Sequence, residues 1–180
     1  MFLYDNKLSS LPPETWQLTN LTELDLSQNE LQGLPDSLGQ LTKLSKLFLI
    51  DNKLSSLRPE IGQLTNLVEL HLLGNDLVHL PREIGSLSPN LKILSLGANP
   101  LPYDEVEAVI AQLSNLETLY LNNLGLTQLP EAILQLPKLK ILVLENRYDY
   151  DFYRESPPNN FSQTERKRIR ERLPDCEIKF

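Results

Sequence analysis

Three residues of the sequence carry side chains of the kind that a hydrolase uses: Asp25, His71 and Ser95. A serine nucleophile needs a histidine within hydrogen-bond reach, and that histidine needs a carboxylate to orient it. His71 and Ser95 stand at equivalent positions of neighbouring repeats, whereas Asp25 lies two repeats before His71. If each repeat supplies one strand, Asp25 and His71 are about 9.6 Å apart, too far for an orienting hydrogen bond. We predict no enzymatic activity and no cofactor, since glycine-rich phosphate loops and zinc-ligand spacings are also missing.

Two further groups of charged residues suggest a cation or a nucleic acid as ligand. Asp149 and Asp151 resemble fragments of a cation site, but no complete ligand set accompanies them. A basic run near the C terminus is diluted by Glu165 and Glu171, and no aromatic platform for bases lies beside it. We interpret the run as the solvated face of a helix and predict no metal site and no nucleic-acid binding. Its basic residues are Arg166, Lys167, Arg168, Arg170 and Arg172.

Composition sets the broad class of protein. The chain has 180 residues, of which 41% are hydrophobic, enough for one continuous core. Its net charge of −7 argues against nucleic acid as the main partner, and no apolar run reaches the roughly 20 residues needed for membrane insertion. Cys176 is the single cysteine, so an intrachain disulfide is impossible. This favours a reducing, cytoplasmic compartment, with a secreted or surface-attached protein left open.

The elements that must position these residues come from one repeated unit. The pattern that begins at Leu67 returns from Leu21, Leu44, Leu91, Leu116 and Leu139, at intervals of 23 to 25 residues. A partial unit with leucines and an asparagine opens the chain, which gives about seven turns over residues 1–146. Prolines recur near one position of the unit and exclude a long amphipathic helix. These prolines are Pro35, Pro59, Pro81 and Pro130.

Each unit predicts one turn of a solenoid that buries its leucines against its neighbours. Leu70 and Leu72 alternate with other residues as in a short strand with one buried face. A helical or 3₁₀ turn should follow on the outer side, and the asparagine side chains should bond to the backbone of the bend. Leu124 stands where the next asparagine is expected, which predicts a local irregularity. The ladder should comprise Asn6, Asn29, Asn52, Asn75 and Asn99.

Two stretches depart from the regular unit. In the fifth turn an i, i+3, i+4, i+7 stripe predicts a true helix, and Asp104 with Glu107 resembles a helix-start pair. Residues 147–180 should form a C-terminal cap. After a loop over 149–160, a capping box from Ser162 to Glu165 predicts a helix ending at Leu173, followed by a short edge strand. The stripe comprises Val106, Val109, Ile110 and Leu113, and the strand carries Cys176, Ile178 and Phe180, with Cys176 as a small buried apolar residue.

The repeats resemble the short-repeat class of leucine-rich-repeat proteins, with the consensus LxxLxxLxLxxNxLxxLPxxIxxL. That class occurs in Ras-pathway scaffold proteins, in plant intracellular Ras-group-related proteins and in bacteria, including Leptospira. The resemblance covers residues 1–146, and the ending LPDCEIKF is similar to caps of bacterial members. It implies an α/β right-handed horseshoe with a parallel sheet on the concave face. It also implies binding of a protein through that sheet, without catalysis.

The residues between the buried strand leucines should form the concave face, in a central column from Phe2 to Val143 and a second column from Tyr4 to Glu145. An apolar and aromatic strip on such a face marks an interaction site, and Gly97 with Ser95 should leave a shallow dip. The alternatives are an ordinary solvated sheet or coverage by the chain's own 149–160 loop. The predicted protein-binding residues are Asp25, Phe48, Ile50, His71, Leu73, Ile93, Ser95, Tyr120 and Val143.

Two expectations concern the chain as a whole. The first turn has no polar cap before Met1, so we expect either that an upstream segment is missing or that this end packs on a partner or a second copy. The alternative function is the repeat portion of a larger signalling or surface-adhesion protein whose effector domain lies outside this chain. The sequence does not identify the partner.

Overall fold

A computed structural model describes residues 1–146 and 156–180. Seven parallel strands within these ranges form one open sheet whose order in space follows the order in sequence. The predicted solenoid is therefore confirmed, because each repeat advances the sheet by one strand. The strands are β1 (Glu23–Asp25), β2 (Lys46–Phe48), β3 (Glu69–His71), β4 (Ile93–Ser95), β5 (Thr118–Tyr120), β6 (Ile141–Val143) and β7 (Glu177–Lys179). Ahead of β1, Phe2 makes a single parallel bridge with Asp25.

The convex side carries short helical segments, as the prolines predict. Most of the described 3₁₀ turns begin directly after a proline, which has no N–H to leave unpaired at the start of the helix. They span Pro13–Gln17, Asp36–Gln40, Pro59–Gln63, Arg82–Leu87 and Glu131–Gln135. The described residues also form the α-helices α1 (Tyr103–Ile110) and α2 (Gln163–Arg172).

The core is a stack of leucines between the sheet and the convex segments. The middle residue of each repeat strand has no exposed surface, and each lies in register with the next. Burying one such side chain contributes about 1.5–3 kcal/mol relative to leaving it in water, so neighbouring turns stabilise one another. These stacked residues are Leu24, Leu47, Leu70, Leu94, Leu119 and Leu142.

Buried asparagines satisfy the backbone at each bend. The Asn75 side-chain amide donates to the Leu72 carbonyl of its own turn and to the Leu49 carbonyl of the preceding turn, at 3.1 and 2.8 Å. Its oxygen accepts the Leu54 N–H at 3.1 Å. The corresponding bonds are made by Asn29, Asn52 and Asn99. Asn6 differs: it is exposed and donates to the Tyr4 carbonyl of its own turn.

The residue before each ladder position has a positive φ, which turns the chain sharply at the end of the strand. Gly74 is the one glycine among these residues (φ 69°), and it adopts this conformation without steric cost. The others at this position are Asp5, Gln28, Asp51, Ala98 and Asn123.

Helix α1 forms where predicted, but the expected helix-start pair does not cap it. The residue before the helix is Pro102, and no side chain bonds to the first turn. The Glu107 carboxylate instead accepts the backbone N–H of Ala132 in the next turn, at 3.1 Å. Glu107 therefore joins two convex segments, because its side chain projects along the solenoid axis rather than back toward the start of its own helix.

The C-terminal helix and strand cover the last repeat. The Ser162 hydroxyl accepts the Glu165 N–H at 3.1 Å, so the predicted N-cap is present. The reciprocal half of the box is not, since the Glu165 carboxylate accepts the Leu129 N–H of the preceding turn. Ile169 of α2 and Phe161 are buried, and β7 pairs with β6. Cys176 is only partly buried.

Several expectations fall on residues 147–155, which lie outside the described part of the chain. They include the cation-site fragments Asp149 and Asp151 and most of the 149–160 loop. The boundary between repeats and cap at 146/147 stays a prediction for the same reason. In the ranges that the structure covers, the helices are too short and too polar to span a bilayer.

Candidate concave interaction surface

The register of the sheet brings the central column of predicted residues together on one face. Asp25 is paired with Phe48, Phe48 with His71, and His71 with Ser95. The column continues from Ser95 to Tyr120 and Val143 on β5 and β6. Neighbouring members of the column are thus one strand spacing apart, about 4.8 Å.

Phe48 and His71 form the centre of this surface. Their rings stack with centroids 4.7 Å apart and planes only 7° from parallel. Such a ring pair contributes about 0.5–1.5 kcal/mol beyond the area that it buries. The pair gives the sheet a flat, rigid apolar platform at its middle.

A charged pair borders the platform. Lys46 Nζ lies 2.8 Å from Glu69 Oε1, and His71 Nε2 lies 3.5 Å from Glu69 Oε2. Burial lowers the pKa of His71 and outweighs the opposing influence of Glu69. Desolvation acts to raise the pKa of Glu69, but hydrogen bonds from Lys46 and His71 together leave it below its usual value. At neutral pH the His71 ring of the platform is therefore neutral, and the ion pair of Lys46 and Glu69 lies beside it.

The second column is apolar at its middle, where its predicted dip is filled. Ile50 and Leu73 are partly exposed on adjacent turns. A Cβ atom added at Gly97 would lie 2.9 Å from Leu73 Cδ1 and 2.7 Å from the Asn122 carbonyl oxygen. The side chain of Leu73 thus lies over Gly97. The prediction of a shallow dip at Gly97 and Ser95 is therefore wrong. A leucine next to a glycine leans into the free space because doing so buries its own methyl groups.

Two of the predicted binding residues are buried. Ser95 is 3% exposed and Val143 is 2% exposed, although both belong to the central column. Ser95 is small and lies between His71 and Tyr120 on the neighbouring strands, so the larger rings cover it. Val143 is likewise flanked by Tyr120 and Lys179. The expectation that the whole column is accessible is therefore wrong at these two positions.

The most exposed part of the surface lies at the other end of the columns. Phe2 and Tyr4 are 64% and 60% exposed, and neither was included among the predicted binding residues. The signal was available in the sequence, because they are the first members of the two columns. Together with Ile50, Phe48 and His71, they form an aromatic and aliphatic surface over the first four turns.

The geometry does not assemble a catalytic group from His71 and Ser95. The nearest polar partner of the His71 ring is the carboxylate of Glu69 on the same strand. Ser95 is buried, and Asp25 is two strands away from His71. Within residues 1–146 and 156–180, no three histidine, cysteine or acidic side chains are grouped to hold a metal ion.

Sequence comparison points to the same repeat as the geometry. A family model described as a leucine-rich repeat matches residues 1–54. A leucine-rich-repeat protein of Leptospira interrogans is 40% identical and superposes with a TM-score of 0.77 over 97% of this chain. The chain is a leucine-rich-repeat protein. A comparison with curated proteins finds no match.

Two plant receptor structures are also similar to this leucine-rich-repeat protein. The peptide hormone receptor RGFR1, solved in complex with RGF2, is 32% identical over 79% of the chain, with a TM-score of 0.61. The ectodomain of the Arabidopsis thaliana receptor kinase GASSHO1/SCHENGEN3, in complex with CASPARIAN STRIP INTEGRITY FACTOR 2, is 31% identical over 84%, also with a TM-score of 0.61. The chain spans 41% of the Leptospira protein and 27% and 19% of the two receptors.

Proposed function

We propose that this leucine-rich-repeat protein is a recognition module that binds an extended segment of a partner protein along its concave sheet. The binding surface comprises the accessible side chains of the first four turns. The observation that carries the proposal is the alignment of exposed and partly exposed aromatic and aliphatic residues on one face of the sheet. They are Phe2, Tyr4, Phe48, Ile50, His71 and Leu73.

The position of these residues supports binding rather than folding. Phe2 and Tyr4 are among the few large apolar side chains of the described chain that are strongly exposed, whereas the repeat leucines are already buried on the other side of the sheet. Apolar patches with polar borders on soluble proteins mark interaction surfaces. Lys46 and Glu69 supply such a border.

The plant receptors support the partner class. Both were solved in complex with a partner, RGF2 in one case and CASPARIAN STRIP INTEGRITY FACTOR 2 in the other. An open parallel sheet suits a segment that lies across several strands, because each turn can contact a successive part of it. We extend ligand binding to this chain. We do not extend the signalling of those longer proteins to it.

The proposal includes no catalytic step. The groups that a hydrolase would need are separated or buried, and the repeat fold generally serves binding. The alternative, that these repeats belong to a larger signalling or surface-adhesion protein, keeps the same binding surface. It differs only in what the bound partner would be coupled to.

A display selection with random linear peptides on the full chain tests the proposal. Selected peptides should perturb the amide resonances of the concave residues, and Ile50→Asp should weaken their binding at least tenfold by placing a charge in the apolar contact. The matched control is Val78→Asp. Val78 is an exposed aliphatic residue (43%) outside the sheet, so this substitution should change affinity by no more than about twofold.

Melting curves separate binding from folding in this experiment. Because Ile50 is partly exposed, both variants should melt within a few degrees of the wild type. Peptides that perturb only the convex segments would contradict the proposal. So would selected peptides that bind Ile50→Asp as tightly as the wild type.

A further inference from the structure

Asp25 places a carboxylate between two aromatic residues of the concave surface. Its Oδ1 atom accepts the Ser27 N–H at 3.0 Å. In the ranges covered by the structure, no lysine or arginine forms an ion pair with Asp25. The nearest candidate by register, Lys46 next to Glu23, is already paired with Glu69 at 2.8 Å. The carboxylate thus keeps acceptor capacity toward the concave space.

Aromatic rings flank Asp25 on both sides. Phe2 bridges to it on one side, and Phe48 is its register partner on the other. Because the Phe48 ring is stacked on His71 through one face, its opposite face is turned toward the strand of Asp25. Two strand spacings separate Phe2 from Phe48, about 9.6 Å. A group held above Asp25 would therefore lie one strand spacing, about 4.8 Å, from the strand position of each of the two phenylalanines.

That distance is the one at which aromatic faces attract cations. A guanidinium or ammonium group within about 6 Å of a ring centroid is stabilised by the ring quadrupole. The same chain uses this contact elsewhere: Arg166 and Arg170 lie 5.1 and 4.9 Å from the centroid of Phe180. A carboxylate below the cation adds a charge-assisted hydrogen bond.

We propose that Phe2, Asp25 and Phe48 form a subsite for an arginine or lysine side chain of the partner. The inference refines the proposed function, on which it rests, by assigning a basic residue to the bound segment. Charge complementarity supports it, since the chain carries a net charge of −7 and Glu23 adds a second carboxylate on the same strand as Asp25. Arginine fits better than lysine, because its planar guanidinium can stack on a ring while donating to the carboxylate.

The test uses a small probe, so that it does not depend on finding the partner. The full ¹⁵N-labelled chain is titrated with Nα-acetyl-arginine methylamide and, separately, with the uncharged citrulline analogue. We expect the arginine probe to shift the amide resonances of Phe2, Asp25 and Phe48, with binding at least about threefold tighter than that of the citrulline probe. Added salt should weaken the arginine probe alone.

Two variants establish whether Asp25 is responsible. Asp25→Asn keeps an acceptor for the Ser27 N–H but removes the charge, and it should abolish the preference for arginine over citrulline. Glu30→Gln is the matched control, because Glu30 lies outside the strands and pairs with Lys53 at 3.0 Å; it should leave the preference unchanged.

Each remaining outcome overturns the inference. Equal shifts with the two probes, or an arginine preference that survives in Asp25→Asn, would exclude the subsite. Failure here would leave the proposed function standing if the selected peptides still bind the concave residues. Conversely, selective binding of the arginine probe would support the subsite even if the peptide selection yielded no binder.

Discussion

Asn159 accepts the backbone N–H of Leu124 at 3.1 Å, across 35 residues of sequence. Its oxygen also accepts the Leu126 N–H, and its amide donates to the carbonyls of Leu121 and Leu144 at 2.7 and 3.0 Å. These are the bonds that a ladder asparagine makes to its own turn and the preceding one. A residue of the capping segment therefore completes the ladder beyond the point where the repeat itself supplies a leucine.

Replacing Asn159 with alanine should destabilise the protein more than any exposed substitution in the cap. The change leaves two buried N–H groups and two carbonyls without their partner, which costs about 2–4 kcal/mol in total. Urea unfolding measures the loss, and hydrogen exchange should accelerate first at Leu124 and Leu126. Asn160→Ala is the control, because Asn160 is exposed. A loss of equal size in the two variants would contradict this role for Asn159.

Replacing either of two glycines outside the strands with alanine should change the free energy of unfolding, in opposite directions for the two positions. A Cβ atom at Gly62 would lie 2.5 Å from the Glu83 carbonyl oxygen, whereas one at Gly33 would meet nothing within 4 Å. We expect Gly62→Ala to lower the free energy of unfolding by about 1–3 kcal/mol through overpacking. Gly33→Ala should raise it by about 0.4–1 kcal/mol, because alanine restricts the unfolded chain. Chemical denaturation of both variants measures these changes. A more stable Gly62→Ala variant or a less stable Gly33→Ala variant would contradict the prediction.

The partly buried histidine of the concave surface, His71, should make stability depend on pH. Burial lowers the pKa of His71 in the folded state, so below the ordinary histidine pKa of about 6.5 the unfolded chain binds the proton more readily. The free energy of unfolding should therefore fall as the pH decreases from about 6.5 through the folded pKa. It should be independent of His71 above that range.

NMR titration of the His71 ring measures this effect directly. The variant His79→Gln leaves His71 as the single histidine of the chain and so assigns its signal. In His71→Gln the fall in stability over this pH range should be smaller than in the wild type. A ring pKa at or above 6.5 would contradict the role of burial.

Trp16 stands at the repeat position that Gly39, Gly62 and Gly85 occupy in the following turns. The repeat consensus would suggest Trp16→Gly as a stabilising change. The structure predicts the opposite, because Trp16 is 3% exposed and belongs to the core. We expect Trp16→Gly to cost about 3–5 kcal/mol, measured by urea unfolding followed by circular dichroism. Trp16→Phe, which retains most of the apolar volume, should lose much less.

The repeat could be predicted far better than the surface that it presents. Strand register follows from the spacing of leucines, so the neighbours of Phe48 on the adjacent strands could be predicted from the sequence alone. Their accessibility was not, since Ser95 is buried by the rings of His71 and Tyr120, and Gly97 by the side chain of Leu73. Side-chain size on adjacent strands decides such contacts, and no single repeat encodes it.

The sequence by itself determined the solenoid, the parallel sheet and the order of its strands, because each turn needs the next to bury its leucines. Only the tertiary structure decided which concave residues remain accessible and which residue completes the ladder. Asn159 lies in the capping segment, outside the periodic part of the sequence, and bonds to a turn 35 residues before it. Periodicity specifies contacts between successive turns, whereas contacts between the cap and the repeats depend on where the chain returns in space.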